Sequence, residues 1–189
     1  MAYQTIRTFL AIELSEALKK ETYLFVETLR DRYQGFRFIE PQNWHLTLHF
    51  LGDIEPEKIE QLGSRLKEAL VQINPFSVSL EGLGVFPNSQ RPRILWIGVS
   101  GDISELLTLK KQVDEVLQNM HFQIETRPFH PHITIARARE GSKHSYLISG
   151  QTFKAQRVDE IHSLTLFKSD LSPRGAQHTP LQVIPFSNP

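Results

Sequence analysis

A chain of 189 residues with 40% hydrophobic content can bury one substantial core or two small lobes that share one. Lys plus Arg and Asp plus Glu are 21 each, so no net field draws the protein to extended nucleic acid and any polyanion contact is expected to be local. With no cysteine, disulfides and thiolate metal sites are excluded, which fits a reducing compartment. The first residues lack the basic start and cleavage site of a secretory signal, and no apolar run approaches the roughly 18 residues of a spanning helix. The expectation is a cytoplasmic protein with no membrane contact.

In chain order, period-2 and period-3.6 patterns alternate. Strand-like stretches are Thr8 to Leu14, Phe36 to Ile39, Trp44 to Leu51, Phe76 to Leu83, Ile94 to Val99, Phe122 to Glu125, His132 to Arg137, Ile161 to Phe167 and Leu181 to Phe186. A first helix around Ala17 to Tyr33 sets Leu18, Phe25 and Leu29 on one face, with Ser15 as its N-cap. A second follows Pro56 with Ile59, Leu62, Leu66, Ala69, Leu70 and Ile73. The third follows Asp102 with Leu106, Leu109, Val113, Val116, Leu117 and Met120. All three read as core-packing helices, and the interspersed order is that of an α+β fold.

The chain repeats itself. His45-Leu46-Thr47-Leu48 returns as His132-Ile133-Thr134-Ile135, an offset of 132 − 45 = 87 residues. The same offset lays Pro41 on Pro128, the strand Phe9 to Ile12 on Trp96 to Val99, and Ser15 on Asp102. The repeat spans approximately residues 8–51 and 94–137. It predicts one domain over residues 1–189, built as a bilobed pseudo-two-fold duplication: two antiparallel sheets with flanking helices, and a central cleft carrying both motifs.

On an extended strand, residues i and i+2 share a face, so each motif sets an imidazole beside a hydroxyl and turns Leu46, Leu48, Ile133 and Ile135 to the other side. Two histidines suffice for metal-free cleavage of a phosphodiester, above all a strained 2′,3′-cyclic one. One neutral imidazole deprotonates water, and one imidazolium protonates the departing oxygen. Thr47 and Thr134 are placed to donate to phosphoryl oxygens, with Arg137 as a charged donor whose aim depends on local twist.

Plainer readings exist for each residue. A lone strand histidine is usually a hydrogen-bonded, partly buried residue, and a lone strand threonine is a β-former; only the repetition lifts these four. Metal binding is the chemical rival. His45 and His49 have the spacing of a helical zinc pair, but Leu46 stands where the protease pattern has Glu and the stretch alternates like a strand. His130 and His132 would share a strand face, yet no Asp or Glu lies beside either motif to complete a shell. His121, His144, His162 and His178 read as surface or structural residues. Arg91, Arg93, Arg139, Lys143 and Arg174 are loop cations able to touch phosphates, a pattern equally typical of solvated surface. An exposed aromatic could stack a terminal base, with Phe36, Phe38, Trp44, Phe86 and Phe129 as candidates, each more often core than platform. A small-nucleotide cyclic phosphodiesterase and a non-catalytic nucleotide- or RNA-binding module stay open beside an RNA-processing enzyme.

The chain resembles the two-histidine phosphoesterases, and within them the RNA 2′,3′-cyclic phosphodiesterases historically called 2′-5′ RNA ligases. The resemblance is carried by Thr8-Phe-Leu-Ala-Ile-Glu-Leu14, Trp44-His-Leu-Thr-Leu-His-Phe-Leu-Gly52, Leu83-Gly-Val-Phe-Pro87 and Arg91-Pro-Arg-Ile-Leu-Trp-Ile-Gly98. It continues through Arg127-Pro-Phe-His-Pro-His-Ile-Thr-Ile-Ala-Arg137, Leu166-Phe-Lys-Ser169 and Leu171-Ser-Pro173. It implies a bilobed α+β fold and cofactor-free opening of terminal 2′,3′-cyclic phosphates on RNA to 2′-phosphates. By the same resemblance His45 is the proton donor, His132 the proton acceptor and Arg137 a phosphate-binding residue. Partners so implied are RNA ends, tRNA halves among them through a reversible 2′-5′ linkage, or small cyclic nucleotides, met by a monomer.

Overall fold

Strands form where apolar residues alternate or run together, and helices where they recur every three or four positions. The computed structural model describes residues 5–141, 152–172 and 175–186. Its order is β1 (Ile6–Glu13), α1 (Glu16–Glu27), β2 (Phe36–Phe38), a 3-10 turn (Pro41–Asn43), β3 (His45–Ile54), α2 (Pro56–Leu70), β4 (Phe76–Phe86) and β5 (Ile94–Gly101). It continues with α3 (Ile103–Asn119), β6 (His132–Ala138), β7 (Asp159–Ile161), β8 (Ser163–Ser172) and β9 (Gly175–Pro185). Ser15 caps α1 as its sequence position predicts: its Oγ accepts from the Leu18 N–H at 3.1 Å and donates to Asp159 at 2.6 Å. Pro56 opens α2, where a missing N–H costs nothing.

The nine strands among the described residues are antiparallel and follow the order β7-β4-β5-β6-β3-β1-β8-β9, with β2 on β6. They form one continuous sheet rather than the two expected, because β3 and β6 pair, and its two halves meet at that pair. One half is β3, β1, β8 and β9 and the other β6, β5, β4 and β7, each joined by ladders of three pairs or more. Between β3 and β6 a single pair of the described residues is in register, Leu46 with Ile133. The bilobed architecture therefore holds, with the motif strands as direct neighbours at the seam.

Helix cover is exchanged between the lobes. Leu18, Val26 and Leu29 of the α1 region pack with Leu80 of β4, Leu95 and Ile97 of β5 and Ile133 of β6. Conversely α2 and α3 bury Leu62, Leu66, Leu106, Leu109 and Val113 against Leu10, Leu46, Leu164, Leu166 and Ile184 of the other half of the sheet. Each half of the chain thus supplies a helix to the core under the opposite half of the sheet.

One strand expected from the sequence is not formed. Residues Phe122 to Glu125 join no ladder, although Phe122 and Ile124 do pack on the core. The backbone there is bound by a side chain instead, His49 Nε2 lying 3.1 Å from the Gln123 carbonyl. His49 belongs to a strand rather than a metal-binding helix, and its Nδ1 is 3.7 Å from Asp114, which also pairs with Lys110.

Two outcomes follow from this packing. Leu46 and Ile133 are fully buried in different cores, so Ile133→Ala should lower stability by about 2–5 kcal/mol while unfolding in urea stays a single transition; two separated transitions would mean the lobes fold independently. Burial, with Lys110 next in effect, lowers the His49 pKa below 6.5 against the opposing pull of Asp114 and the Gln123 carbonyl. Below that value the unfolded chain binds more protons, so the contribution of His49 is complete above pH 6.5 and lost as pH falls. The urea midpoint should decline on acidification from pH 7 to 5, less steeply in His49→Gln.

Candidate active site

The seam sets the motif residues in place. Around an antiparallel pair, one residue forward on one strand lies opposite one residue back on the other, so the Leu46 and Ile133 register puts His45 across from Thr134 and His132 across from Thr47. Leu46 and Ile133 point to the cores, which leaves the two histidines and two threonines, all half-buried, together on the opposite face.

Each imidazole is held by a backbone carbonyl two residues earlier. His132 Nδ1 lies 2.6 Å from the His130 carbonyl, and the His45 ring bonds the carbonyl of Asn43. A carbonyl can only accept, so Nδ1 of His132 carries the proton and Nε2 is left with a lone pair. Aromatic rings support both. His45 lies 4.7 Å from the ring of Phe9, which stacks on Phe167 at 5.1 Å. His132 meets the edge of Phe86 at 5.1 Å and Trp96 at 6.0 Å. Phe9 and Trp96 are related by the same offset, 96 − 9 = 87. Gly84 is needed beside Trp96, since a Cβ there would come within 2.1 Å of the indole.

A β-bulge settles the aim of Arg137. In the β5–β6 ladder Trp96 pairs with Thr134 but Leu95 with Ala136, so Ile135 and Ala136 both turn inward. The alternation resumes one position late, and Arg137 returns to the face of His132 and Thr134. Its charge reaches both motif histidines and also His178.

His178 is the residue that sequence reading missed. Read from sequence as a surface or structural residue, it stands on β9 with its ring perpendicular to His45 at 5.1 Å and T-shaped to Phe9 at 4.8 Å. Its Nδ1 is buried without a hydrogen-bonding partner among the described residues. The only sequence signal was that it is a histidine; the pairing of Ser169 with His178 that brings β9 alongside β8 has no local signature.

Electrostatics favour neutral rings. The His45 pKa is pushed down to about 3, mainly by burial, then by His178, with Arg137 and Lys19 adding and the Asn43 carbonyl opposing. Burial likewise lowers His132, against the His130 carbonyl, and lowers His178. A phosphate anion between the rings would reverse this balance, because a negative charge favours the imidazolium.

The other candidates fall elsewhere. Phe36 and Trp44 are core, the Trp44 indole donating to the Ile39 carbonyl at 3.0 Å, while Phe38 and Phe129 are half-buried and pack against the cores. Phe86 alone of the five touches a motif histidine. Arg91, Arg93 and Arg139 are exposed, and Lys143, His144 and Arg174 lie outside the described residues. His121 and His162 are exposed, as read from sequence. Among the described residues no group of three or more His, Cys, Asp or Glu side chains converges as a metal site, and no helix is long and apolar enough to cross a membrane.

The chain is 30% identical over 182 residues to the RNA 2′,3′-cyclic phosphodiesterase of Methanothermobacter thermautotrophicus, covering 94% of this chain and 97% of that one. It is 34% identical over 177 residues to the protein of that name from Methanocaldococcus jannaschii, covering 90% and 95%. In fold it is similar to a crystal structure from Thermus thermophilus, with a TM-score of 0.80 at 23% identity over 96% of this chain and 98% of that one. It is also similar to E. coli LigT crystallised with 3′-AMP, with a TM-score of 0.78 at 23% identity over 97% and 99%. The model of the family described as LigT like Phosphoesterase matches twice, over residues 12–96 and again over 97–176. With both halves matched and curated relatives aligned nearly end to end, the chain belongs to the LigT-like phosphoesterases.

Proposed function

We propose that this protein hydrolyses the 2′,3′-cyclic phosphate at the end of an RNA to a 2′-phosphomonoester, without a metal or cofactor. The observation that carries the reading is the pair of carbonyl-held imidazoles, each set across the seam from a threonine hydroxyl, with Arg137 on the same face. His132 Nε2 accepts a proton from water as the water oxygen bonds to phosphorus. The bond from phosphorus to the 3′ oxygen breaks, and His45 as imidazolium protonates that oxygen. Thr47 and Thr134 donate to the phosphoryl oxygens, and Arg137 balances their charge. The curated relatives named above support RNA as the substrate. With a 5′-hydroxyl in place of water, the same steps would open the cyclic phosphate onto that oxygen and leave a 2′-5′ linkage and a free 3′-hydroxyl, a reaction whose reverse cleaves the linkage. The setting we infer is the cytoplasm, in line with the cysteine-free composition, and the acting unit a monomer, since both histidines come from one chain.

The zero net charge favours a second reading, a small cyclic nucleotide as the substrate. Activity on a mononucleoside 2′,3′-cyclic phosphate exceeding that on an oligonucleotide bearing the same end would select it.

His45→Ala or His132→Ala should each lower kcat by roughly 10²- to 10⁴-fold on an RNA ending in a 2′,3′-cyclic phosphate, and the wild-type product should be the 2′-monophosphate. EDTA should leave the rate intact; loss of activity restored by a divalent ion would rule out the metal-free mechanism.

The pH–rate profile should be bell-shaped. Acid protonates His132 and removes the base, while alkali strips the proton that His45 must deliver. A profile rising monotonically with pH would remove the acid role from His45.

A further inference from the structure

At the outer end of the motif strand β6, two arginines are set against each other. Strand β2 pairs with β6 so that Arg37 lies directly opposite Arg137. Backbone bonds flank that pair, from the Ile39 N–H to the Ile135 carbonyl and from the Arg139 N–H to the Gly35 carbonyl. Their spacing makes Arg37 and Arg137 a hydrogen-bonded pair, with Cα atoms about 5.5 Å apart and side chains on one face. Phe36 and Phe38 turn to the core that holds α1. Arg37 therefore stands with Arg137 on the face of His132 and Thr134, and Arg139, two residues beyond Arg137, continues the row.

Like charges directly opposite on neighbouring strands destabilise the pair. A chain with 21 acidic residues against 21 basic ones had carboxylates to place there. Instead, burial lowers the Arg137 pKa, and among the described residues no carboxylate opposes it. Single surface arginines are usually only solvated; two held side by side next to a candidate phosphate site gain most from an anion between them. The second guanidinium is also fitted in place. Arg37 reaches to the start of β9, where a Cβ on Gly175 would come within 2.5 Å of its terminal nitrogen. On its outer side Arg37 joins Arg30 and Arg139 in lining an open pocket of about 340 Å³ at the edge of β2. Positive charge thus runs from the histidines through Arg137 and Arg37 to this pocket.

We propose that Arg37, with Arg139 beside it, binds the internucleotide phosphate on the 5′ side of the terminal nucleotide, one ribose away from the cyclic phosphate at Arg137. This rests on the phosphodiesterase reading above and extends it to a second phosphate. The subsite recognises backbone charge and not sequence, so it favours an oligonucleotide end over a free nucleotide bearing the same base.

The test compares two dinucleotides that end in adenosine 2′,3′-cyclic phosphate, have a 2′-deoxy first nucleoside and differ only in the linkage: a native phosphodiester or an uncharged methylphosphonate. In the wild-type protein kcat/KM should favour the charged linkage about fivefold or more, and this ratio should fall as salt rises. Arg37→Gln should bring the ratio toward one, mainly through KM, and Arg37→Lys should keep most of it. Arg65→Gln, exposed on α2 behind the sheet, should leave it unchanged. A wild-type ratio near one, an unchanged ratio in Arg37→Gln, or an equal fall in Arg65→Gln would overturn the proposal. A second measurement needs no turnover: the ratio of Kd for the two corresponding dinucleoside 2′-monophosphates, which Arg37→Gln should likewise bring toward one. If the wild-type protein cleaves neither dinucleotide, the phosphodiesterase reading fails, and the Kd ratio still decides whether Arg37 holds a phosphate.

Discussion

The register of Leu46 against Ile133 is the contact on which the site depends. Among the described residues it is the only pair joining the two halves of the sheet in register, yet it sets four motif side chains at once, because both strands alternate about it. A slip of one residue on either strand would turn that strand's histidine and threonine into the core and its leucine or isoleucine out to the cleft. What prevents the slip is burial. Leu46 is locked among the residues of α2 and α3, Ile133 among those of α1. The exchange of helices between lobes ties each motif strand to a core built in part by the other half of the chain, so the seam needs no long ladder of its own.

The two bulges then extend a regular alternation into an irregular function. Strict alternation supplies only every second residue to a face, and a site built on two four-residue motifs alone would end at the threonines. By inserting Leu48 in β3 and Ile135 in β6, the chain keeps two consecutive residues in the core and brings the next one, Phe50 or Arg137, back to the cleft. The same device in both lobes delivers unlike side chains. Chemistry that treats the two sides of a phosphodiester differently requires such a departure from symmetry.

Symmetry is also broken around the histidines themselves. His45 has His178 at right angles to it and lies deeper, which explains its pKa of about 3, whereas His132 is flanked by Phe86 and Trp96 and is lowered by burial without a histidine in ring contact from another strand. Both rings nonetheless share one orienting contact, the carbonyl two residues upstream, which costs no additional side chain and follows from the chain geometry just before each strand. On the proposed mechanism, an anion that raised one pKa more than the other would turn two similar bases into an acid and a base.

Much of this was already written in the linear chain. The 87-residue offset carries the histidines, the threonines and the helices that follow Ser15 and Asp102, because apolar periodicity and caps are local properties. Period-2 alternation likewise decided that each histidine shares a face with its threonine. Tertiary structure alone decided the remainder. Phe122 to Glu125 alternates like a strand but finds His49 instead of a ladder partner, since pairing depends on what lies alongside and not on the segment itself. His178 entered the site because β9 closes the edge beside β8, and Arg137 and Phe50 because single-residue bulges shifted their parity. Those are choices of register between distant strands, made by the cores the strands bury together, and no single segment of sequence carries them.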